Sequence, residues 1–205
     1  MVELLVVIAV IAILAVIIII ALNPAELLRQ ARDSQRIADM STMKGAISSY
    51  IQDQPTGSLG STTPSDYCYL SVTPNGNGVV APGPAGWSLD SSCLSWFSSA
   101  TQMVGTTSRS TSGTGWVPIN FAAMTGGSPI GSESVDPANT PGYYDVSTGQ
   151  TTPGYFYSYT TNGASYKIVS IMESNAYSKG GSKDIESNDG GTDPYVYEQG
   201  LDLSL

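Results

Sequence analysis

Residues 4–22 read LLVVIAVIAILAVIIIIAL, nineteen apolar side chains without a polar interruption. At ~1.5 Å per residue the run spans roughly 28 Å as a helix, close to the ~30 Å hydrocarbon core of a bilayer. A soluble core helix is apolar along one stripe, not all round. The run therefore reads as a membrane span. A signal peptide would need a basic segment before it and a small-residue cleavage site after it. Neither is seen, so the span is expected to remain as an anchor. Glu3 stands at its edge, where a carboxylate costs less than at the bilayer centre. It reads either as a solvated residue that ends the span or as the partner of a cation, such as a terminal amine on a neighbouring copy.

Beyond the run the pattern becomes periodic. Leu27, Leu28, Ala31, Ile37, Ala38, Met40, Met43, Ala46, Ile47, Tyr50 and Ile51 recur at three- and four-residue spacing. Charged residues fill the other side, which predicts an amphipathic helix ending before Pro55. Asn23 is expected to cap it, with Pro24 at the first helical position. Pro24 then either separates two helices or kinks one. The cluster Arg29, Arg32 and Arg36 has two readings. The favoured one is a solvated face paired with Asp33 and Asp39. The other is contact with anionic lipid or with acidic neighbouring subunits.

Composition excludes much chemistry. The 205 residues contain no His and two Cys, which rules out a Ser-His-Asp triad and a His-ligated metal site. Mean hydropathy is +0.01, an average of two unlike parts. Residues 1–53 carry a net charge of −1, leaving −8 of the total −9 on residues 54–205. That balance argues against nucleic acid as the main partner and suits an exported surface.

The N-terminal stretch MVELLVVIAVIAIL, residues 1–14, resembles the N-terminal helix of type IV pilins and type II secretion pseudopilins. The ALNPAE run at 21–26 and Ala31-Arg32-Asp33 extend the likeness through residue 53. Val135-Asp136-Pro137, the Tyr-rich strand and the Asp-rich terminus add looser similarity. In that family the assembly glutamate is the fifth mature residue, so Glu3 implies that a leader and two mature residues precede Met1. Pro24 falls later than the family's usual kink.

The resemblance implies an α+β pilin fold. Its long N-terminal helix comprises a membrane or filament-core segment at 1–22 and an amphipathic half at 24–53. That half packs on a small antiparallel sheet in a head spanning 54–205. Assembly would rest on Glu3, Leu4, Leu5, Val6, Val7 and Pro24. The implied partners are further copies of the chain, the inner-membrane assembly machinery, a prepilin peptidase and, before assembly, the membrane itself. DNA uptake by the filament stays open.

In the head, YFYSYTT at 155–161, Asn162-Gly163 and ASYKIVSIME at 164–173 form a hairpin signal. A two-residue turn would pair Thr161 with Ala164, Tyr159 with Tyr166 and Tyr157 with Ile168. The tyrosine stripe, with Tyr155, is expected to face the helix. In an exported protein Cys68 and Cys93 are expected to form a disulfide; two free thiols are the alternative. Residues 98–115 hold ten Ser or Thr and three Gly, reading as an exposed loop or an O-glycosylated region. Trp116–Phe121 is expected to return to the core as an edge strand.

The acidic stretch 184–193 raises calcium through Asp184, Asp189 and Asp193. It fails the EF-hand template, with Asp189 at the glycine position and Tyr195 at the glutamate position. A solvated acidic turn is the preferred reading, and no other cofactor is expected. The functional expectation is a non-enzymatic filament subunit, anchored in the inner membrane and then carried on the cell surface. A pseudopilin is the alternative, and a membrane-anchored carbohydrate-active enzyme a distant third.

Overall fold

The computed structural model describes residues 1–60, 67–75, 78–83, 86–90, 93, 96–97, 102–145 and 147–205. Two helices open the chain, α1 at Val2–Leu22 and α2 at Pro24–Asp53. Pro24 has no N–H to continue the hydrogen-bond ladder of α1. Asn23 takes the left-handed conformation, φ 41° and ψ 74°. Its side chain makes no cap bond, contrary to expectation. Its carbonyl instead accepts from Glu26 N at 3.0 Å and Leu27 N at 3.3 Å, starting α2 through the backbone.

The strands are β1 (Tyr67–Leu70), β2 (Val79–Gly83), β3 (Gly86–Asp90), β4 (Gln102–Gly105), β5 (Tyr143–Asp145), β6 (Gln150–Thr152), β7 (Tyr157–Thr161), β8 (Tyr166–Ser170) and β9 (Tyr197–Gly200). Among the described residues the main sheet has the order β4-β1-β7-β8-β9, with β2-β3 and β5-β6 as separate ribbons. Its pairs are antiparallel except β1 with β4. The class is α+β. Placing β4 at Gln102–Gly105 corrects the reading of 98–115 as one exposed loop. Residues 98–101 lie outside the described residues.

α2 covers one face of the sheet. Met40, Met43, Ala46, Ile47 and Tyr50 pack with Tyr157, Tyr159, Tyr166 and Ile168. Each tyrosine of that face buries its ring and finds a partner for its hydroxyl. Tyr157 donates to Asp39 Oδ2 at 2.9 Å, Tyr159 to Leu59 O at 2.6 Å and Tyr166 to Lys44 O at 3.3 Å. The opposite face carries Cys68, Leu70 and Val169, packed with Trp96, Phe97, Phe156 and Val196. Every residue of β7 and β8 is therefore buried, including Ser158, Thr160 and Lys167.

The hairpin register differs from expectation by two residues. Thr161 pairs with Tyr166, Tyr159 with Ile168 and Tyr157 with Ser170. The connection is a four-residue loop, Asn162–Ser165. Asn162 Oδ1 accepts from Ala164 N at 3.0 Å and Ser165 N at 2.8 Å, and Asn162 keeps a negative φ. A type I′ turn needs positive φ at both central residues, and only Gly163, at φ +85°, supplies it. A slip of two preserves the faces, so the tyrosine stripe still meets α2.

Cys68 and Cys93 form a disulfide. Trp116, Val117, Ile119 and Phe121 do return to the core, all within 1% of full burial. They do so without strand structure; Phe121–Ala123 is a short 3-10 turn. Trp116 Nε1 donates to Ser134 O at 2.8 Å, so loop bonds replace a ladder.

Candidate functional site

Two regions hold the residues singled out by sequence. The first is α1, where Glu3, Leu4, Leu5, Val6 and Val7 are all exposed. The window Val2–Ile19 has a mean hydropathy of 3.4 and none of it is buried. This helix is long and apolar enough to span a membrane.

The second is the join between the first half of α2 and the head. One turn apart, Asp33 and Arg36 point inward, and neither exposes any side-chain surface. Arg36 grips Asp136 with two parallel bonds, Nε to Oδ2 at 2.6 Å and Nη2 to Oδ1 at 2.9 Å. Its Nη1 reaches Asp33 Oδ1 at 2.7 Å. Asp33 in turn accepts from Glu173 N at 2.9 Å and Ser174 N at 2.8 Å. Asp136 accepts from Ala138 N at 2.8 Å, closing its own turn. The Tyr155 ring lies 5.1 Å from the guanidinium carbon. Burial opposes the charge on Arg36, but the bonds to Asp136 and Asp33 outweigh it and hold its pKa above the usual value.

Arg32 continues the network, with Nε 2.7 Å and Nη2 2.5 Å from the two oxygens of Glu173. That pairing leads the effects that lower the Glu173 pKa. Arg29 is half-exposed, 3.8 Å from Glu26 and 3.9 Å from Glu173. The three arginines thus face four carboxylates of their own chain. The solvated-face reading holds for parts of Arg29 and Arg32, whose side chains are 46% and 36% exposed. Arg36 is a core residue, and Asp39 bonds Tyr157 rather than an arginine. Helical spacing could not reveal this, because the partners Asp136 and Glu173 lie far along the chain. Val135-Asp136-Pro137 was the visible trace of one of them.

Glu133 and Glu186 are buried carboxyls outside the arginine network. Glu133 accepts from Val117 N at 3.0 Å, while its other oxygen has no hydrogen-bond partner among the described residues. Burial pushes its pKa up to about 8. Glu186 accepts from Met172 N and Lys179 N, both at 3.0 Å, and burial again pushes the pKa up to about 8. It lies in the wall of a cavity of about 240 Å³ with Ile171, Met172 and Tyr195.

The three candidate calcium residues accept backbone hydrogen bonds close by in the chain. Asp184 accepts from Gly180 N and Ser187 N, Asp189 from Gly191 N and Glu198 N, and Asp193 from Tyr195 N. Their oxygens build turns instead of converging. Among the described residues no group of three or more potential ligands could hold a metal ion. The chain matches no family model, no curated protein and no solved structure.

Proposed function

We propose that this chain is the structural subunit of an extracellular type IV pilus, with a pilin fold, anchored in the inner membrane before assembly. The observation that carries this reading is α1. None of the residues of the apolar window Val2–Ile19 is buried against the head, and water cannot be their resting environment. The second helix supports the reading by continuing α1 and binding rigidly to the head, where a simple tether would be flexible. The disulfide suits an oxidising compartment.

In this reading Glu3 meets the terminal amine of an adjacent copy. A charge in a dry bundle is tolerated when paired, and the pairing fixes axial register more than it stabilises. The test is electron microscopy of material sheared from cells, comparing the wild type with Glu3→Ala. Long filaments are expected from the wild type, and few from a variant that still reaches the membrane. Wild-type filament levels from Glu3→Ala would end the pairing role. Short periplasmic assemblies without surface filaments would shift the assignment to a pseudopilin.

A further inference from the structure

Lys167 and Glu198 form an ion pair on the sheet face away from α2, and neither side chain exposes any surface. In the β8–β9 ladder Lys167 is opposite Gly200 and Val169 opposite Glu198, so the two side chains share a face on a diagonal. Phe97 stands over the amine, its ring centroid 5.7 Å from Nζ. A Cβ at Gly191 would overlap Glu198 Oε2, so the site is closely packed.

Nζ has more acceptors than an ammonium has protons. Besides Glu198 Oε1 it faces Trp96 O at 2.7 Å, Leu203 O at 3.0 Å, Leu205 O at 3.2 Å and Thr192 Oγ1 at 3.3 Å. Thr192 Oγ1 is also 3.5 Å from Glu198 Oε1, so one hydroxyl touches both members of the pair. Glu198 Oε2 accepts the Asp193 N–H at 3.1 Å. Amine, carboxyl, proton relay and oxyanion donor are therefore in one place.

We propose that Lys167 and Glu198 condense into an intramolecular amide that ties β8 to β9. The ammonium first passes a proton to Glu198 Oε1, giving a neutral amine and a neutral acid. The Nζ lone pair then attacks Glu198 Cδ and the C–N bond forms. Oε2 takes the negative charge and the Asp193 N–H stabilises it. A second proton leaves Nζ through Thr192 Oγ1 to Oε1. The C–Oε1 bond breaks and Oε1 departs as water. Held contact replaces a bimolecular encounter. The product removes two charges whose burial is costly even when paired. The closed site then keeps water from reversing the bond.

The test is the intact mass of the full chain purified in detergent, followed by tandem mass spectrometry of a chymotryptic digest. The wild type is expected to be lighter than its disulfide-bonded sequence by one water. The digest should contain a branched species joining the Lys167 peptide to the Glu198 peptide. Lys167→Met and Glu198→Ala should each restore the full mass. A wild-type chain of full mass would overturn the proposal and leave the pair as a plain buried salt bridge. So would a water loss that maps to any other pair of residues. The wild-type measurement decides the matter even if neither variant folds.

Discussion

Arg36 shows how a single side chain can anchor a helix. It has no exposed surface, and it binds Asp136 through two bonds and Asp33 through one. Replacing it with Met would leave two carboxylates buried without their cation, a change that costs about 3–5 kcal/mol. A urea midpoint measured in detergent should fall accordingly, and adding Asp136→Asn should recover part of the loss. A cost below about 1 kcal/mol would show that water reaches the network. Glu133 and Glu186 make the opposite kind of residue, carboxyls buried with no ion-pair partner among the described residues. Between the unfolded value near 4.5 and about 8 the folded chain keeps protons that the unfolded chain has released. The folded state then binds more protons, so stability falls as pH rises through this window, by up to about 1.4 kcal/mol per pH unit for each group. Thermal melts should therefore show a higher midpoint at pH 5 than at pH 8, and Glu133→Gln should flatten the difference. A midpoint that rises over this range would contradict the burial of both groups.

At the scale of elements, what the sequence discloses depends on how local each interaction is. α2 is legible because its buried face repeats within the helix, from Met40 to Tyr50. The tyrosine hairpin is legible in its faces but not in its register. Periodicity of two cannot distinguish a two-residue turn from a four-residue loop, and the Asn162 side chain decides between them. β4 is illegible, because a parallel pair is formed across a long connection and the Ser/Thr-rich flanks mask Gln102–Gly105. Of the arginine clamp only the Asp33–Arg36 pair is legible, at helical spacing, because the other acids come from residues 136 and 173. The disulfide ties the two kinds of element together. Cys68 lies within β1, and Cys93 lies in the connection that leads to β4. Removing it with Cys68→Ala and Cys93→Ala should cost about 3 kcal/mol through the freed chain. The loss should appear first at the sheet edge, as faster hydrogen exchange of the β4 amides than of β7 and β8. Equal loss of protection across the sheet would mean that the disulfide supports the whole core rather than the β4 edge.

Across the whole molecule, two surfaces require two solvents. The head buries its own core, while α1 presents Leu, Ile and Val on every side. A bilayer and a bundle of copies would both cover α1, but they differ in how they treat one buried charge. The branched residues of Val2–Ile19 favour insertion by roughly 4–8 kcal/mol on a translocon scale, against a cost of about 2.5–3.5 kcal/mol for one central lysine. One substitution at mid-span, Ile11→Lys, should therefore leave the chain in the membrane, where a lysine can reach toward the headgroups. Three substitutions, Val7→Lys, Ile11→Lys and Ala15→Lys, exceed the favourable sum and should release it. A filament core contains no headgroup layer, so Ile11→Lys would place an unpaired ammonium between packed helices. The single variant is expected to resist carbonate extraction yet yield no filaments, and the triple variant to lose both properties. Release of the single variant into the soluble fraction would show that α1 is not held by a bilayer. Normal filaments from it would show that α1 is not their core.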